Sequence, residues 1–172
     1  HKEMSAHLAR KMGVERVEVA GDGYRIANND NVLELLNTDL YPDNSVGLIV
    51  TSIPFATQYE YSPNYADFGH SESNEEFFQQ MDFLTPNLYR VLQPGRMAII
   101  HVKDRIVPMG LSGMGCQTVY PFHCDCIRHY TKHGFAYMGM KTIVTDVVRE
   151  NNQTYRLGWT EQCKDGTKMG VG

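Results

Sequence analysis

The sequence predicts an α/β fold with a mostly parallel sheet. Two largely apolar runs, Val46–Val50 and Met97–Val102, have the length of a strand, and runs of this kind are typical of parallel strands covered on both faces. Between them, Glu75–Val91 carries its apolar residues at helical spacing. Because helices alternate with strands along the chain, the α/β class is favoured over all-α or all-β folds.

The length and net charge of the chain limit the classes of protein to which it can belong. A chain of 172 residues with apolar and charged residues interspersed is long enough for one folded domain. Its formal net charge of −4 speaks against a non-specific nucleic-acid binder, since such proteins are usually basic. A DNA enzyme with a local basic surface stays possible. No apolar run is long enough for a bilayer, so we expect a cytoplasmic protein that does not enter the membrane.

The first elements are predicted from local signals. Residues His1–Met12 have helical spacing and predict a short helix. The next two segments, Arg16–Val19 and Tyr24–Asn28, have strand composition and flank Gly21–Gly23. Since a glycine-rich turn between two such segments is typical of a hairpin, we expect these strands to pair with each other.

A helix and a loop are predicted before the first long apolar strand. Either Asn29 or Asp30 is suited to cap a helix over Val32–Leu36, which carries an apolar stripe. The segment Tyr41–Ser45 contains Pro, Asp and Asn and therefore predicts a loop.

The central helix is predicted to begin at an Asn74 cap and to cover Glu75–Val91. Pro86 lies in its middle and predicts a kink or a break there. Gln93–Gly95 is expected to end the helix, and Asp104–Thr118 reads as a loop rich in Gly and Met.

The last predicted elements are a helix and a strand. Pro121–His133 has helical character and is followed by Gly134 as its C-terminal cap. Phe135–Val144 is predicted to be a strand with a bend at Gly139, and residues 145–172 are polar with frequent turns.

The four cysteines favour no metal site. His123, Cys124, Cys126 and His129 lie close together in sequence, but Cys-x-Cys differs from the Cys-x2-Cys spacing of ordinary zinc sites. We therefore predict reduced thiols and no metal, with the isolated residues Cys116 and Cys163 in the same state.

The candidate catalytic residues are Ser52, Ile53, Pro54 and Phe55, directly after the first apolar strand. Ligands of open α/β sheets bind at the carboxyl ends of the strands. Two acceptors there, the Ser52 hydroxyl and the carbonyl of Ile53, suit a planar amino group with two N–H bonds. Pro54 restricts the backbone of the residue before it and so aims that carbonyl, while Phe55 offers a ring for stacking.

This tetrapeptide resembles the catalytic motif of amino-directed DNA methyltransferases, which has Asp, Asn or Ser, then Pro-Pro, then an aromatic residue. Ile53 stands where that family has its first proline, and the carbonyl is retained because every residue supplies one. The resemblance covers residues 26 to 145. It is carried by the order of four further blocks: Ala27–Asp30, Tyr41–Ser45, Phe77–Arg96 and Pro121–Phe135.

The resemblance implies a Rossmann-like fold that uses S-adenosylmethionine. The methyl group would go to the exocyclic amino group of adenine or cytosine in double-stranded DNA, and Ser in the first motif position leans towards cytosine. Ser52 and the residue-53 carbonyl would hold the amine, Pro54 would set the geometry, and Phe55 would stack on a base flipped out of the duplex. Asp30, with Ser52, would contact the cofactor; the alternative for Asp30 is a helix cap.

The order of the blocks implies the permuted branch of that family and its phage and bacterial subgroup. In that branch the Gly-rich cofactor loop follows the catalytic motif, and no Gly-x-Gly-x-x-Gly loop occurs in this sequence. We therefore expect an incomplete fold: one catalytic domain over 1–172, its core at 26–103, and a target-recognition side at 104–172. Such enzymes serve restriction–modification systems or phage self-protection.

Three further groups of polar and aromatic residues each allow two interpretations. Aromatic residues after the motif either line a base pocket or form a surface loop, and the charged residues near the end either contact phosphate or are solvated. His101 and Lys103 either meet the substrate or are hydrated residues at the end of a strand. The aromatic set is Tyr59, Tyr61, Tyr65 and Phe68 with Asn64 and His70, and the charged set is Arg149, Arg156 and Lys164 to Lys168.

Two other functions stay open at this point. One is a methyltransferase of the same fold that acts on RNA or on a protein amide, since planar nitrogen substrates need similar acceptors. The other is a non-catalytic DNA-binding module that retains the fold, which Ile53 and the missing Gly-rich loop favour.

Overall fold

The computed structural model describes residues 15–54, 67–69 and 71–144, and the backbone of 160–162 and 168–170. The chain divides into two compact units, His1–Tyr137 and Met138–Gly172. The predictions for His1–Met12, Phe55, the loop tyrosines with Asn64 and His70, Cys163, and the basic side chains after position 144 lie outside the described residues.

The predicted hairpin is confirmed. Strands β1 (Val17–Gly21) and β2 (Tyr24–Asn28) pair antiparallel, with Gly21 opposite Tyr24. The two residues between them form the turn, and Gly23 has a φ of 77°. Glycine adopts this left-handed conformation without the steric cost that other residues meet.

The next helix is also confirmed, and Asp30 is its cap. Helix α1 (Asn31–Leu35) begins where Asp30 Oδ1 accepts the backbone N–H groups of Val32 at 2.8 Å and Leu33 at 3.1 Å. These bonds satisfy two of the N–H groups that the first turn of a helix leaves without partners.

A parallel strand pair forms the centre of the first unit. Strands β3 (Val46–Ser52) and β4 (Leu92–His101) run parallel, and their last residues, Ser52 and His101, are partners in the register. The register shifts near the start of the pair, where Gly95 has a φ of 75°. The segment predicted to end the central helix therefore forms an irregular beginning of β4.

The described residues cover only one face of this pair. Ile100 packs against the hydrophobic core, whereas Leu48, Val50, Met97 and Ile99 are exposed. The sequence predicts that both faces of these strands are covered. This is wrong for the described residues, because the described core packs against the side of Ile100 alone.

The central helix, α2 (Asn74–Val91), is capped by Ser73 rather than by Asn74, because the Ser73 side chain accepts the N–H of Glu76. No break occurs at Pro86, since α2 is continuous through it. The side-chain amide of Asn87 donates to the carbonyl of Phe83 at 3.2 Å.

The Gly- and Met-rich segment contains more structure than a loop. Strands β5 (Arg105–Val107) and β6 (Thr118–Tyr120) pair antiparallel, with a one-turn helix, α3 (Met109–Ser112), between them. Helix α4 (Phe122–Lys132) follows as predicted, and Gly134 after it has a φ of 98°.

Helices α2 and α4 build the core with the residue that follows Ser52. The core residues are Ile53, Phe77, Met81, Leu84, Phe122, Cys126 and Tyr130. Two buried polar residues lie beside them, Thr85 and His129, and they are joined by a contact of 2.7 Å between Thr85 Oγ1 and His129 Nε2. A buried polar pair of this kind satisfies both groups.

Two predictions for the sheet are corrected. Phe135–Val144 does not form a strand. Of the four two-stranded sheets among the described residues, only β3–β4 is parallel, so the sheet structure described here is not mostly parallel. The second unit contributes the antiparallel pair β7 (Thr160–Gln162) and β8 (Lys168–Gly170). None of the described helices is long and apolar enough to cross a membrane.

Candidate active site

Ser52 and His101 form a contact at the carboxyl edge of the parallel pair. Ser52 Oγ lies 3.1 Å from His101 Nδ1, and both residues are exposed. The register explains this contact, because partner residues on neighbouring strands have adjacent side chains. The sequence predicts both residues at this edge, and the parallel pairing confirms that placement.

The contact determines what the hydroxyl can do. A neutral imidazole accepts a hydrogen bond at the ring nitrogen that carries no proton, and a hydroxyl has one donor and two acceptor lone pairs. When Nδ1 of His101 accepts the Ser52 proton, both lone pairs of Oγ stay available for N–H donors from a ligand.

Ile53 ties this edge to the core. Its side chain is only 4% exposed and packs among the core residues of α2 and α4. Ser52 beside it is exposed, and Pro54 after it is half-buried. The residue that departs from the methyltransferase motif thus serves as an apolar anchor, while Phe55 lies outside the described residues.

Asp30 is held at the start of α1, separately from Ser52. Both capping bonds go to Oδ1, and the backbone N–H of Asp30 donates to Asn29 Oδ1 at 2.9 Å. Within the described part of the chain, no hydrogen bond reaches Oδ2, and none joins Asp30 to Ser52. One carboxylate oxygen is therefore a cap, and the other takes no hydrogen bond from the described residues.

A buried carboxylate supports the segment that carries Asp30. Glu34 accepts from Arg16 at 2.7 and 2.9 Å, from the Asn29 amide at 2.8 Å and from the Tyr41 hydroxyl at 3.1 Å. The hydrogen bonds from Arg16 are the main reason that the pKa of Glu34 is lowered to about 2. We name Arg16, Asn29, Glu34 and Tyr41 the Glu34 network; it joins the hairpin to α1 and the following loop.

Arg90 fixes the loop that leads into β3. From the last turn of α2, its guanidinium donates to the carbonyl of Leu35 at 2.6 Å, to the carbonyl of Tyr41 at 2.9 Å and to Asp43 Oδ1 at 2.7 Å. Because these partners are the last residue of α1 and two residues of the loop before β3, Arg90 helps to set where the strand that ends in Ser52 begins.

Asp104 connects the end of β4 to α4. It accepts the backbone N–H of His123 at 3.1 Å and contacts the Nδ1 of that ring at 2.7 Å. Burial opposes ionisation of Asp104, but these hydrogen bonds outweigh it and lower its pKa. Lys103, the other candidate at this edge, is exposed.

The described cysteines do not form a metal site with their neighbours. Cys116, Cys124 and Cys126 form no disulfide among the described residues, and their reduced state stays a prediction. Burial raises the pKa of Cys126 to about 12, so this thiol is inert at neutral pH. His123 turns to Asp104 and His129 to Thr85, and Cys124 Sγ lies 3.4 Å from His123 Nε2.

The aromatic residue described after the motif belongs to the core side. Phe68 packs edge-on against Phe77, with the ring centroids 6.5 Å apart. Phe68 therefore serves to pack against the core in this structure.

Sequence reasoning missed Glu34 and Arg90 as supporting residues. Glu34 lies on the side of its helix away from the apolar stripe, and its partners come from other segments. The main acceptors of Arg90 come from positions far from it in the chain, so neither role has a sequence signal.

No family model and no curated protein matches the chain. Solved structures that resemble it include two of TTHA0409 from Thermus thermophilus, described as a "putative DNA modification methylase". The first is 29% identical with a TM-score of 0.46, and covers 63% of this chain and 39% of that one. The second, a complex with S-adenosyl-L-methionine, is 32% identical with a TM-score of 0.45, and covers 62% and 39%. The chain thus spans about two fifths of the length of these proteins.

Proposed function

We propose that this chain carries the catalytic motif of an enzyme that methylates the exocyclic amino group of adenine or cytosine in double-stranded DNA. The observation that carries the proposal is the contact of 3.1 Å between Ser52 Oγ and His101 Nδ1, at the exposed carboxyl edge of a parallel strand pair. This contact supports the proposal because it can orient the Ser52 hydroxyl directly before Ile53 and Pro54, and because sheets of this kind bind ligands at this edge.

The acceptors at this edge suit the chemistry of an aromatic amine. The lone pair of an exocyclic amino nitrogen is delocalised into the base, which makes it a poor nucleophile. Ser52 Oγ and the carbonyl of Ile53 each accept a hydrogen bond from one N–H group of the amine. They thereby favour a tetrahedral nitrogen whose lone pair is free to react. Burial of the Ile53 side chain limits the movement of this carbonyl.

His101 has two tasks in this proposal. As the acceptor of the Ser52 proton, it keeps both Oγ lone pairs turned towards the amine. When the new N–C bond forms, the nitrogen must lose one proton. The amine proton passes to Ser52 Oγ as the serine proton passes to Nδ1 of His101, so Ser52 never has to ionise.

Asp30 is the residue that fits the methyl donor, S-adenosylmethionine. Its Oδ1 is used by the helix cap, and Oδ2 takes no hydrogen bond from the described residues, which leaves an acceptor for a hydroxyl donor such as a ribose. When bound, this cofactor supplies an electrophilic methyl group on a sulfonium sulfur. TTHA0409 was crystallised with this molecule.

The finer assignments belong to the same proposal. Phe55 stacks on a base flipped out of the duplex, residues 26–103 form the catalytic core, and 104–172 form the target-recognition side. The order of the motifs favours the permuted branch and its phage and bacterial subgroup. A cytoplasmic role in restriction–modification or phage self-protection follows from that resemblance.

A methyl-transfer assay tests the proposal. The chain is incubated with S-adenosylmethionine carrying a labelled methyl group and with unmethylated duplex DNA of mixed sequence, RNA or protein. Nucleoside analysis of the DNA by mass spectrometry should show methyl groups on the amino nitrogen of adenine or cytosine. Label in RNA or protein alone would contradict the DNA assignment, and no transfer to any substrate would favour the non-catalytic module.

Variants of His101 separate its two tasks. His101→Asn retains an acceptor near Ser52 but takes up no proton, whereas His101→Ala lacks both properties. We expect both variants to lower the rate, with Ala the slower, because it loses orientation as well as proton transfer. Equal rates for all three proteins would exclude His101 from the reaction.

A further inference from the structure

Three metal-binding side chains converge where α2 meets the end of α4. His129 and His133 lie four residues apart, so their side chains fall on one face of the helix end, and Asp82 faces them from α2. We name Asp82, His129 and His133 the helix-junction triad. One ligand atom from each residue lies within 4.8 Å of the other two.

From this geometry we propose that the helix-junction triad is a divalent-cation site that takes Zn²⁺ and joins α2 to α4. Two imidazoles and a carboxylate are a ligand set that zinc favours, whereas Mg²⁺ and Ca²⁺ favour oxygen ligands. The proposal is independent of methyl transfer, and it departs from the sequence expectation of no metal.

The distances within the triad are close to those that zinc requires. In a tetrahedral site with bonds of about 2.0–2.1 Å, the ligand atoms lie about 3.3 Å from one another. Asp82 Oδ1 is 3.6 Å from His129 Nδ1 and 2.6 Å from His133 Nε2. Side-chain movements of under about 1 Å for these two pairs reach that geometry.

Thr85 orients the buried ligand. Thr85 is fully buried, the His129 side chain is 4% exposed, and Thr85 Oγ1 engages His129 Nε2 at 2.7 Å. The other ring nitrogen, Nδ1, is thereby turned towards Asp82. A hydrogen bond to the distal nitrogen is the usual support of a metal-binding histidine, because it fixes the tautomer and the ring orientation.

The other two ligands of the triad lie nearer to solvent than His129 does. Asp82 and His133 are less buried, with side-chain exposures of 34% and 15%. A cation therefore has a path from solvent, and a water molecule can complete the tetrahedral shell.

Lys132 competes with the cation for Asp82. Its ammonium lies 3.0 Å from Asp82 Oδ2, and its side chain is 63% exposed. An exposed ion pair of this kind contributes little to stability, so a dication at the triad can displace the lysine into water.

Zinc titration of the full chain by calorimetry tests the site. We expect one Zn²⁺ per chain, and at least a tenfold loss of affinity in Asp82→Asn and His133→Ala, since each removes a direct ligand. Lys132→Gln should bind Zn²⁺ severalfold more tightly, because it removes a positive charge next to the carboxylate. Zn²⁺ should raise the melting temperature of the wild type and leave that of His133→Ala unchanged.

The matched control is His123→Ala, which removes a histidine paired with a carboxylate outside the triad; its zinc affinity should equal that of the wild type. Circular dichroism establishes that each variant is folded before titration. No saturable binding by the wild type would overturn the proposal. Undiminished binding by Asp82→Asn and His133→Ala, or equal affinities for Lys132→Gln and the wild type, would overturn it as well.

Discussion

The two polar residues that the sequence singles out, Asp30 and Ser52, are held in place by different means. Asp30 is held by hydrogen bonds. It caps α1, and its neighbour Asn29 belongs to the Glu34 network. Ser52 is exposed, and its side chain has one hydrogen-bond contact with the described residues, to His101. Its backbone is held by the pairing of β3 with β4 and by the packing of Ile53.

Asp30 and Ser52 are therefore sensitive to different substitutions. A polar network fails when one partner is removed, because the remaining donors lose their acceptor. Truncation of a buried side chain destabilises the fold because it leaves a cavity in the core. An exposed hydroxyl contributes almost nothing to stability, so Ser52 is free to be changed without consequence for the fold.

Ile53→Ala should have the largest effect. The side chain is 4% exposed in the core, and truncation of a buried Ile to Ala costs about 2–5 kcal/mol. Chemical denaturation should show this loss, whereas Ile106→Ala, at a residue that is 63% exposed, should lose much less. Equal losses for the two variants would show that Ile53 is no anchor.

Glu34→Gln should come next and should change the response to acid. The pKa of Glu34 is lowered to about 2, mainly by its hydrogen bonds with Arg16. Its stabilisation is therefore fully present above the unfolded pKa of about 4.5 and is lost as the pH falls from there towards 2. After allowance for solvent screening, we expect about 1–2 kcal/mol.

Denaturation curves between pH 7 and the acid range measure this contribution, and the exposed Asp39→Asn variant is the control. The gap between wild type and Glu34→Gln should shrink as the pH falls through this window. A gap that stays constant would mean that the Glu34 charge does not stabilise the network.

Asp30 should show a smaller effect, which separates its two roles. Asp30→Ala removes the cap and should cost about 1 kcal/mol, whereas Asp30→Asn retains a good cap and should cost only a few tenths of a kcal/mol. If the free carboxylate oxygen holds the cofactor, Asp30→Asn should still bind S-adenosylmethionine at least tenfold more weakly by calorimetry. Unchanged binding in Asp30→Asn would leave Asp30 with the capping role alone.

The fold was predictable where its signals are local. The hairpin follows from the glycine turn at Gly21–Gly23, α1 from the cap at Asp30, and α4 from its apolar spacing and Gly134. Pairing between distant segments was less predictable: β5 and β6 are three residues each, too short to show a period.

Two predicted features, a strand at Phe135–Val144 and a break at Pro86, are absent from the structure although the local sequence favours them. Phe135–Val144 has the composition of a strand, but strand propensity expresses packing against partners, and the segment forms no strand. The helix through Pro86 continues because packing outweighs one missing hydrogen bond.

The candidate site was partly predictable for the same physical reason. Ser52 and His101 end two apolar runs, and parallel strands bring their carboxyl ends to one edge, so their proximity follows from the sequence. The partners of Glu34 and the approach of Asp82 to His129 depend on how separate elements pack. No spacing in the sequence encodes either arrangement.

Ser52→Ala should have the smallest effect on stability and the largest on activity, and it tests the central claim most directly. Wild type and variant are compared in methyl transfer to duplex DNA, with denaturation measured in parallel. We predict a stability change within about 0.5 kcal/mol and a fall in transfer rate of about a hundredfold, because the amine loses one of its two acceptors. Equal rates for the two proteins would contradict the assignment of Ser52 as the residue that orients the amine.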